Sequence, residues 1–131
     1  MEEQEQEMLF RLSMFEQQIN QLQEQIQAVD KGINELGSLT TGLDGLKDST
    51  GKEIFAPLGR GIFIKSKVIS EDLLVDVGGK NLVKKSIPQT QELIESQIIK
   101  LQEIKKELDN NLEAASREVE KTINEAKEKQ N

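Results

Sequence analysis

The sequence contains no cysteine, histidine, tryptophan or tyrosine, and only four phenylalanines in 131 residues. Without cysteine there is no disulfide framework and no thiolate zinc site. Without histidine the commonest general base and the commonest metal ligand are both missing. Aromatics at 3% supply little of the ring area that normally fills a compact core. A chain so poor in rings is elongated, helped by partners, or disordered. Strict apolar periodicity argues against disorder. No apolar run approaches the roughly 18–20 residues that span a bilayer. The start, Met1-Glu2-Glu3-Gln4-Glu5, is the opposite of a basic signal-peptide start. The expectation is a soluble cytoplasmic protein without a membrane partner.

Net charge is −7, which disfavours nucleic acid as a partner because phosphate binding needs a basic face. The charge is uneven. Residues 54–86 carry six cations (Arg60, Lys65, Lys67, Lys80, Lys84, Lys85) against three acids (Glu71, Asp72, Asp76), a net of +3, so the remainder carries −10. The middle of the chain is a different kind of structure from its flanks.

In the first flank, Met8, Leu12, Phe15, Ile19, Leu22, Ile26, Val29, Ile33 and Leu36 are spaced by alternating steps of 4 and 3. That 3.5-residue repeat is the signature of a coiled coil. Gly45 and the run Asp48-Ser49-Thr50-Gly51 stop the helix, which is expected over 8–47. In the second flank, Ile94, Ile98, Leu101, Leu108, Leu112, Ala115, Val119 and Ala126 repeat the pattern, with gaps at Lys105 and Thr122 flanked by Ile104 and Ile123. Ser86 is a cap candidate and Pro88 suits a first helical turn, so this helix is expected over 88–129. Each helix would be roughly 60 Å long.

Residues 52–86 alternate with period 2 between glycine-rich breaks. Ile62, Ile64 and Val68 fall on one face, and so do Leu73, Val75 and Val77; Gly59-Arg60-Gly61, Ser70-Glu71-Asp72 and Gly78-Gly79-Lys80-Asn81 are turns. Four short strands in two hairpins are expected. Pro57 cannot donate to a ladder, so its strand lies at an edge or carries a bulge.

The simplest closure is α+β: a long antiparallel coiled-coil hairpin with the two β-hairpins at its bend, forming one domain over 1–131. Seven acids against one base in residues 1–30 oppose self-pairing of the first helix. The second helix offers Lys100, Lys105, Lys106, Arg117, Lys121, Lys127 and Lys129. Four short strands cannot close a barrel and leave open edges, so the chain is expected to oligomerise through its β unit, as part of a shared β-barrel platform. Residues Leu58, Gly59, Gly61, Ile62, Phe63, Ile64, Leu73, Val75, Val77, Leu82 and Val83 are the candidates for that surface.

The far end carries a surplus. A two-stranded seam needs Met8, Leu12 and Phe15, but Leu9, Phe10 and Met14 are additional and should reach solvent. All three methionines, counting Met1, lie in the first fifteen positions. Methionine recurs on promiscuous binding surfaces. One reading is a sticky tip for non-native protein; the other is a broader packed stripe or contact with another helix.

Enzyme motifs fail on inspection. Gly59-x-Gly61 lacks the third glycine of a dinucleotide fingerprint, where Ile64 stands. Gly51-Lys52 and Gly79-Lys80 lack the leading glycine of a phosphate loop, where Leu46 and Leu74 stand. No cofactor, no metal and no catalytic residue are expected.

The segment Pro57-Leu58-Gly59-Arg60-Gly61-Ile62-Phe63-Ile64-Lys65 resembles the P-L-G-x-G-(hydrophobic)3-K stretch of α-class prefoldin subunits. Leu74-Val75-Asp76-Val77-Gly78-Gly79 and Val83-Lys84-Lys85-Ser86 resemble that family's second hairpin. The resemblance covers essentially the whole chain and is closest to the compact archaeal type. It implies an ATP-independent holding chaperone: a hexamer of two α-type and four β-type subunits that captures unfolded proteins at coiled-coil tips and passes them to a group II chaperonin. By position and apolarity, the implied client-binding residues are Met8, Leu9, Phe10, Leu12, Met14, Phe15, Ile123 and Ala126. A coiled-coil scaffold or tether, or a subunit of a prefoldin-like assembly complex, would share much of this pattern.

Overall fold

The computed structural model describes residues 2–130, and the side chains of 2–129; Met1 and Asn131 lie outside the described residues. Six elements follow in order: α1 (Glu2–Asp44), β1 (Glu53–Gly59), β2 (Ile62–Lys67), β3 (Leu73–Asp76), β4 (Leu82–Lys85) and α2 (Ile87–Gln130). The fold is α+β: two long helices form a hairpin and enclose two small antiparallel β-hairpins in sequence. Among the described residues no helix is long and apolar enough to cross a membrane. The chain divides into two compact units, one of residues up to Asn34 with those from Ile99 onward, the other Glu35–Ile98.

In the first unit α1 and α2 run antiparallel along the seam that the 4,3 spacing marks. Leu22 and Ala115 are its buried apolar residues, and Met8, Leu12, Phe15, Ile19 and Ile26 are half-buried. A methyl added at Gly32 would meet Leu101 Cδ1 at 3.4 Å. Two residues earlier on α1, the Asp30 carboxylate lies 2.8 Å from the Lys105 ammonium. The expected gaps in the α2 repeat are filled instead of bypassed. Thr122 is only 4% exposed, and its Oγ1 donates to the Glu118 carbonyl at 2.8 Å, so the hydroxyl is satisfied inside its own helix. Lys105 is half-buried at its seam place and sets its ammonium on Asp30. Ile104 and Ile123 point outward.

The second unit is held by a small cluster of Leu43, Ile87 and Ile94, against which Leu36, Leu46, Leu73 and Ile98 pack. Ser86 and Gln89 form a reciprocal cap: Gln89 N–H donates to Ser86 Oγ at 3.2 Å and Ser86 N–H donates to Gln89 Oε1 at 3.1 Å. The pair satisfies two donors that a helix start leaves unpaired. Gln91 ties the last turn of α1 to the first turns of α2, donating to the Thr40 carbonyl at 3.1 Å and to Asp44 Oδ1 at 2.7 Å. That hydrogen bond, with Lys47 alongside, holds the Asp44 carboxyl below its ordinary value.

The strands form two separate two-stranded sheets, β1–β2 and β3–β4. Pairing runs from Glu53↔Lys67 to Pro57↔Phe63, then shifts so that Gly59 faces Ile62 and Leu58 is left as a bulge. The proline therefore has both features its missing N–H demands: a strand with a free edge and an adjacent bulge. In the second hairpin, Leu73↔Lys85 through Asp76↔Leu82 pair without interruption. Glu71 Oε1 accepts from Asp48 N–H at 2.8 Å, which fixes the loop after α1 where Asp48 adopts φ 59°.

Two outcomes follow. Replacing Ser86 with alanine should lower unfolding stability by about 1 kcal/mol, the ordinary worth of an N-cap, as read by urea denaturation at fixed protein concentration. The Asp30–Lys105 pair has a distinct pH signature. Its hydrogen bond and charge attraction raise the Lys105 ammonium above the ordinary lysine value. Its contribution is complete below about pH 10.4 and is lost as pH rises through the raised value. Lys105→Met should flatten that alkaline loss and change neutral-pH stability little, because both groups are more than a third exposed and water screens the pair; a steeper alkaline loss would contradict the assignment.

Candidate functional site

Two surfaces stand out, one in each unit, and both are apolar. The first is the end of the first unit where α1 begins and α2 ends. Seam geometry decides which side chains are available there. Met8, Leu12 and Phe15 recur at seam spacing and are half-buried against α2. Leu9, Phe10 and Met14 fall between seam positions and are exposed, Phe10 at 66%. On α2, Ile123 is exposed and Ala126 is half-buried. Met8 and Ala126 line a common cleft with Thr122, bordered by Gln4, Glu5, Arg11, Glu125 and Lys129. The α2 side of this end is small (Ala115, Thr122, Ala126), and the α1 side is large (Met8, Leu12, Phe15). Phe10 instead borders a shallow groove on α1 itself, with Glu3, Gln6, Glu7 and Arg11. The eight residues singled out in sequence thus fall into a packed set, an outward set and a shared cleft.

The second surface belongs to the β-hairpins. Cross-strand partners in an antiparallel pair point to the same side. In β1–β2, one side carries Phe55, Pro57, Phe63, Lys65 and Lys67; the other carries Ile54, Ala56, Ile62, Ile64 and Ser66. Ile54, Ala56 and Ser66 are half-buried, but Ile62 and Ile64 on that same side are exposed, as are Phe55 (68%), Leu58 and Phe63 on the opposite side and bulge. In β3–β4, Leu73 and Val75 are half-buried, with Leu73 reaching the core cluster, while Val77, Leu82 and Val83 are exposed. Gly59 and Gly61 sit at the first turn, both at positive φ. Each hairpin therefore has apolar residues on both sides, which a free-standing hairpin in water does not favour.

Sequence reasoning passed over Phe55, Leu74 and Ile69, the last being 87% exposed and the most exposed large apolar residue described. Phe55 had a signal: it alternates with Ile54 and Ala56, so it must face away from them. It joins Phe63, giving that face two rings. Ile69 sits between strands and carries no periodic signal. Leu39, Ile99 and Ile104 are further exposed apolar residues on the helices. Charges on the β surface are partly paired: Lys65 with Glu53 at 3.0 Å and Lys84 with Asp72 at 3.8 Å. All four groups are more than half exposed, so these pairs contribute little to stability.

Comparison with known proteins fits this geometry. The family model described as Prefoldin subunit matches residues 15–131. The prefoldin subunit alpha of Methanobrevibacter smithii is 33% identical over 108 residues, 82% of this chain and 69% of that one. That of Methanococcus maripaludis is 31% identical over 123 residues, covering 93% and 79%. The Methanosphaera stadtmanae prefoldin subunit alpha is 27% identical over 90 residues, 69% of this chain, and the match spans 65% of its length. Among solved structures, that of filamentous PFD from Methanocaldococcus jannaschii, determined by electron cryomicroscopy, superposes with a TM-score of 0.79 at 24% identity, covering 88% of this chain and 97% of that one. The last likeness concerns the fold. With the helix, two hairpins and helix in this order and the family match over 15–131, the chain belongs to the prefoldin family, and the relatives it matches are alpha subunits.

Proposed function

We propose that this chain is the α-type subunit of a holding chaperone that works without nucleotide in the cytoplasm. It assembles through its β-hairpins with β-type subunits, as two α and four β in a hexamer. It binds unfolded proteins at the free end of its helix pair and yields them to a group II chaperonin. The observation that carries the reading is the exposure of Leu9, Phe10 and Met14 beside a half-buried seam. A soluble helix pair has no internal use for three large apolar side chains outside the seam. Methionine and leucine adapt to irregular partners, which suits a surface that meets many sequences.

Assembly converts weak contacts into useful capture. One apolar end offers few contacts, so single-site binding is weak. Several ends on one platform raise the effective concentration of the second contact, and avidity grows without new chemistry. Release needs no hydrolysis, because each contact is weak enough to be displaced in turn by a competing surface. The acidic flanks of the first helix keep the apolar ends from binding one another.

The test is light scattering of a denatured client diluted, without nucleotide, into the assembled complex. A triple variant, Leu9→Ser with Phe10→Ser and Met14→Ser, changes only exposed positions, so each substitution should alter stability by less than about 0.5 kcal/mol. Suppression of aggregation should weaken clearly in the triple variant. Full suppression by that variant would remove the helix ends of this chain from the client site, and no suppression by the intact complex would favour a scaffold.

A further inference from the structure

Sulfur is confined to one end of this chain. There is no cysteine, and the three methionines, Met1, Met8 and Met14, all lie within the first fifteen residues. Histidine, tryptophan and tyrosine, the other side chains that oxidants attack readily, are also missing. Peroxides oxidise sulfur first, so such an oxidant acts on residues 1–14 and on nothing else in the chain. The exposed large apolar residues of the β unit are Leu, Ile, Val and Phe, which carry no sulfur.

The two described methionines differ in access. Met14 is 54% exposed and stands one helical turn after Phe10 on the same face of α1. Leu9 is exposed as well. Of these three outward side chains, only Met14 can be converted from apolar to polar in place. Met8 is half-buried and lines the cleft with Thr122 and Ala126 of α2. Oxidation of a thioether follows its exposure, so Met14 is the first target and Met8 the second.

We propose that Met14 is an oxidation site through which a peroxide reversibly weakens client capture by this chain. This rests on the reading that unfolded proteins bind at the free end of the helix pair. In the step, the thioether sulfur attacks one oxygen of hydrogen peroxide. An S–O bond forms and the O–O bond breaks. The leaving oxygen takes the proton of the transferred oxygen and departs as water, so sulfur is oxidised by two electrons and the peroxide reduced by two. A dithiol reverses the change: two thiols become a disulfide, and the sulfoxide oxygen leaves as water. In the free chain the sulfoxide is solvated, because Met14 lies outside the seam, and the fold is kept. Under a bound client it is covered, and an acceptor buried without a donor weakens binding. Oxidation therefore acts on one apolar surface and spares the other.

For the test, the full chain would be treated with dilute hydrogen peroxide, the peroxide removed with catalase, and the product assembled with untreated β-type prefoldin subunits. Peptide mass spectrometry reads which methionine carries oxygen. Circular dichroism and sedimentation read fold and assembly. The probe is fluorescent carboxymethylated α-lactalbumin, which stays unfolded, and its anisotropy gives the affinity without nucleotide. Met14 should oxidise before Met8, and affinity should fall about three- to tenfold, the order expected when one apolar contact is made polar. Methionine sulfoxide reductases with a dithiol should restore it. A Met14→Leu chain, compared with itself before and after the same treatment, should keep most of its own starting affinity. Full affinity of a complex whose Met14 is shown to be sulfoxide would overturn the switch. An equal proportional loss in Met14→Leu would overturn the assignment to this residue. Loss of fold or assembly on oxidation of Met14 would overturn the separation of the two surfaces. Failure of the untreated assembly to bind the probe would instead overturn the client reading beneath all of these.

Discussion

Burial is the constraint on which the rest of this structure depends. The seam between α1 and α2 is that of only two helices, so most of its residues are half-buried. Among the described side chains none is below 2% exposed, and only Leu22, Leu43, Ile87, Ile94 and Ala115 count as buried apolar residues. Twice that many large apolar side chains stand exposed on the β unit, among the described residues. Each would gain about 1.5–3 kcal/mol if fully removed from water. Ordering and association costs consume much of such a gain in any complex. What remains still sets the direction: the β unit is stable to the extent that something covers it. The helix pair needs cover less, because its seam residues from Met8 to Ile26 are already buried or half-buried against the other helix.

The two apolar surfaces differ in kind. On the hairpins the exposed residues lie on both sides of short two-stranded sheets, in fixed cross-strand register, with cations at the turns. Such a surface is rigid enough to be specific. At the helix ends the exposed residues are Leu, Phe and Met on a single helix face, next to glutamates, with small seam residues opposite. That surface is adaptable and has no fixed geometry to impose. The first surface suits a partner of fixed shape, and the second suits partners of varied shape.

Much of this was legible in the sequence, and the exceptions have physical reasons. The 4,3 spacing is a property of helices alone, so Met8 through Leu36 marked the α1 seam without ambiguity, and Ser86 marked the start of α2. Lys105 and Thr122 look like gaps in the sequence because residue type alone marks a seam only by its apolar members. Geometry decides it, and a half-buried lysine or a threonine that bonds its own helix can hold the place. The two hairpins were legible from alternation and turn glycines. Which side of each hairpin faces the core was not, because alternation identifies an inward side only when the other side is polar. Here Phe55, Leu58 and Leu74 make both sides apolar. Ile69, outside any periodic element, left no trace in pattern at all.

The most direct test of the account is amide hydrogen exchange of this chain, free and mixed with a β-type prefoldin subunit. Covering the β unit should slow exchange strongly across residues 53–85, while residues 2–15 stay as fast as in the free chain until an unfolded client is added. Unchanged exchange over 53–85 in the mixture would contradict the claim that this surface is completed by a partner. Protection appearing first over 2–15 would reverse the roles assigned to the two ends.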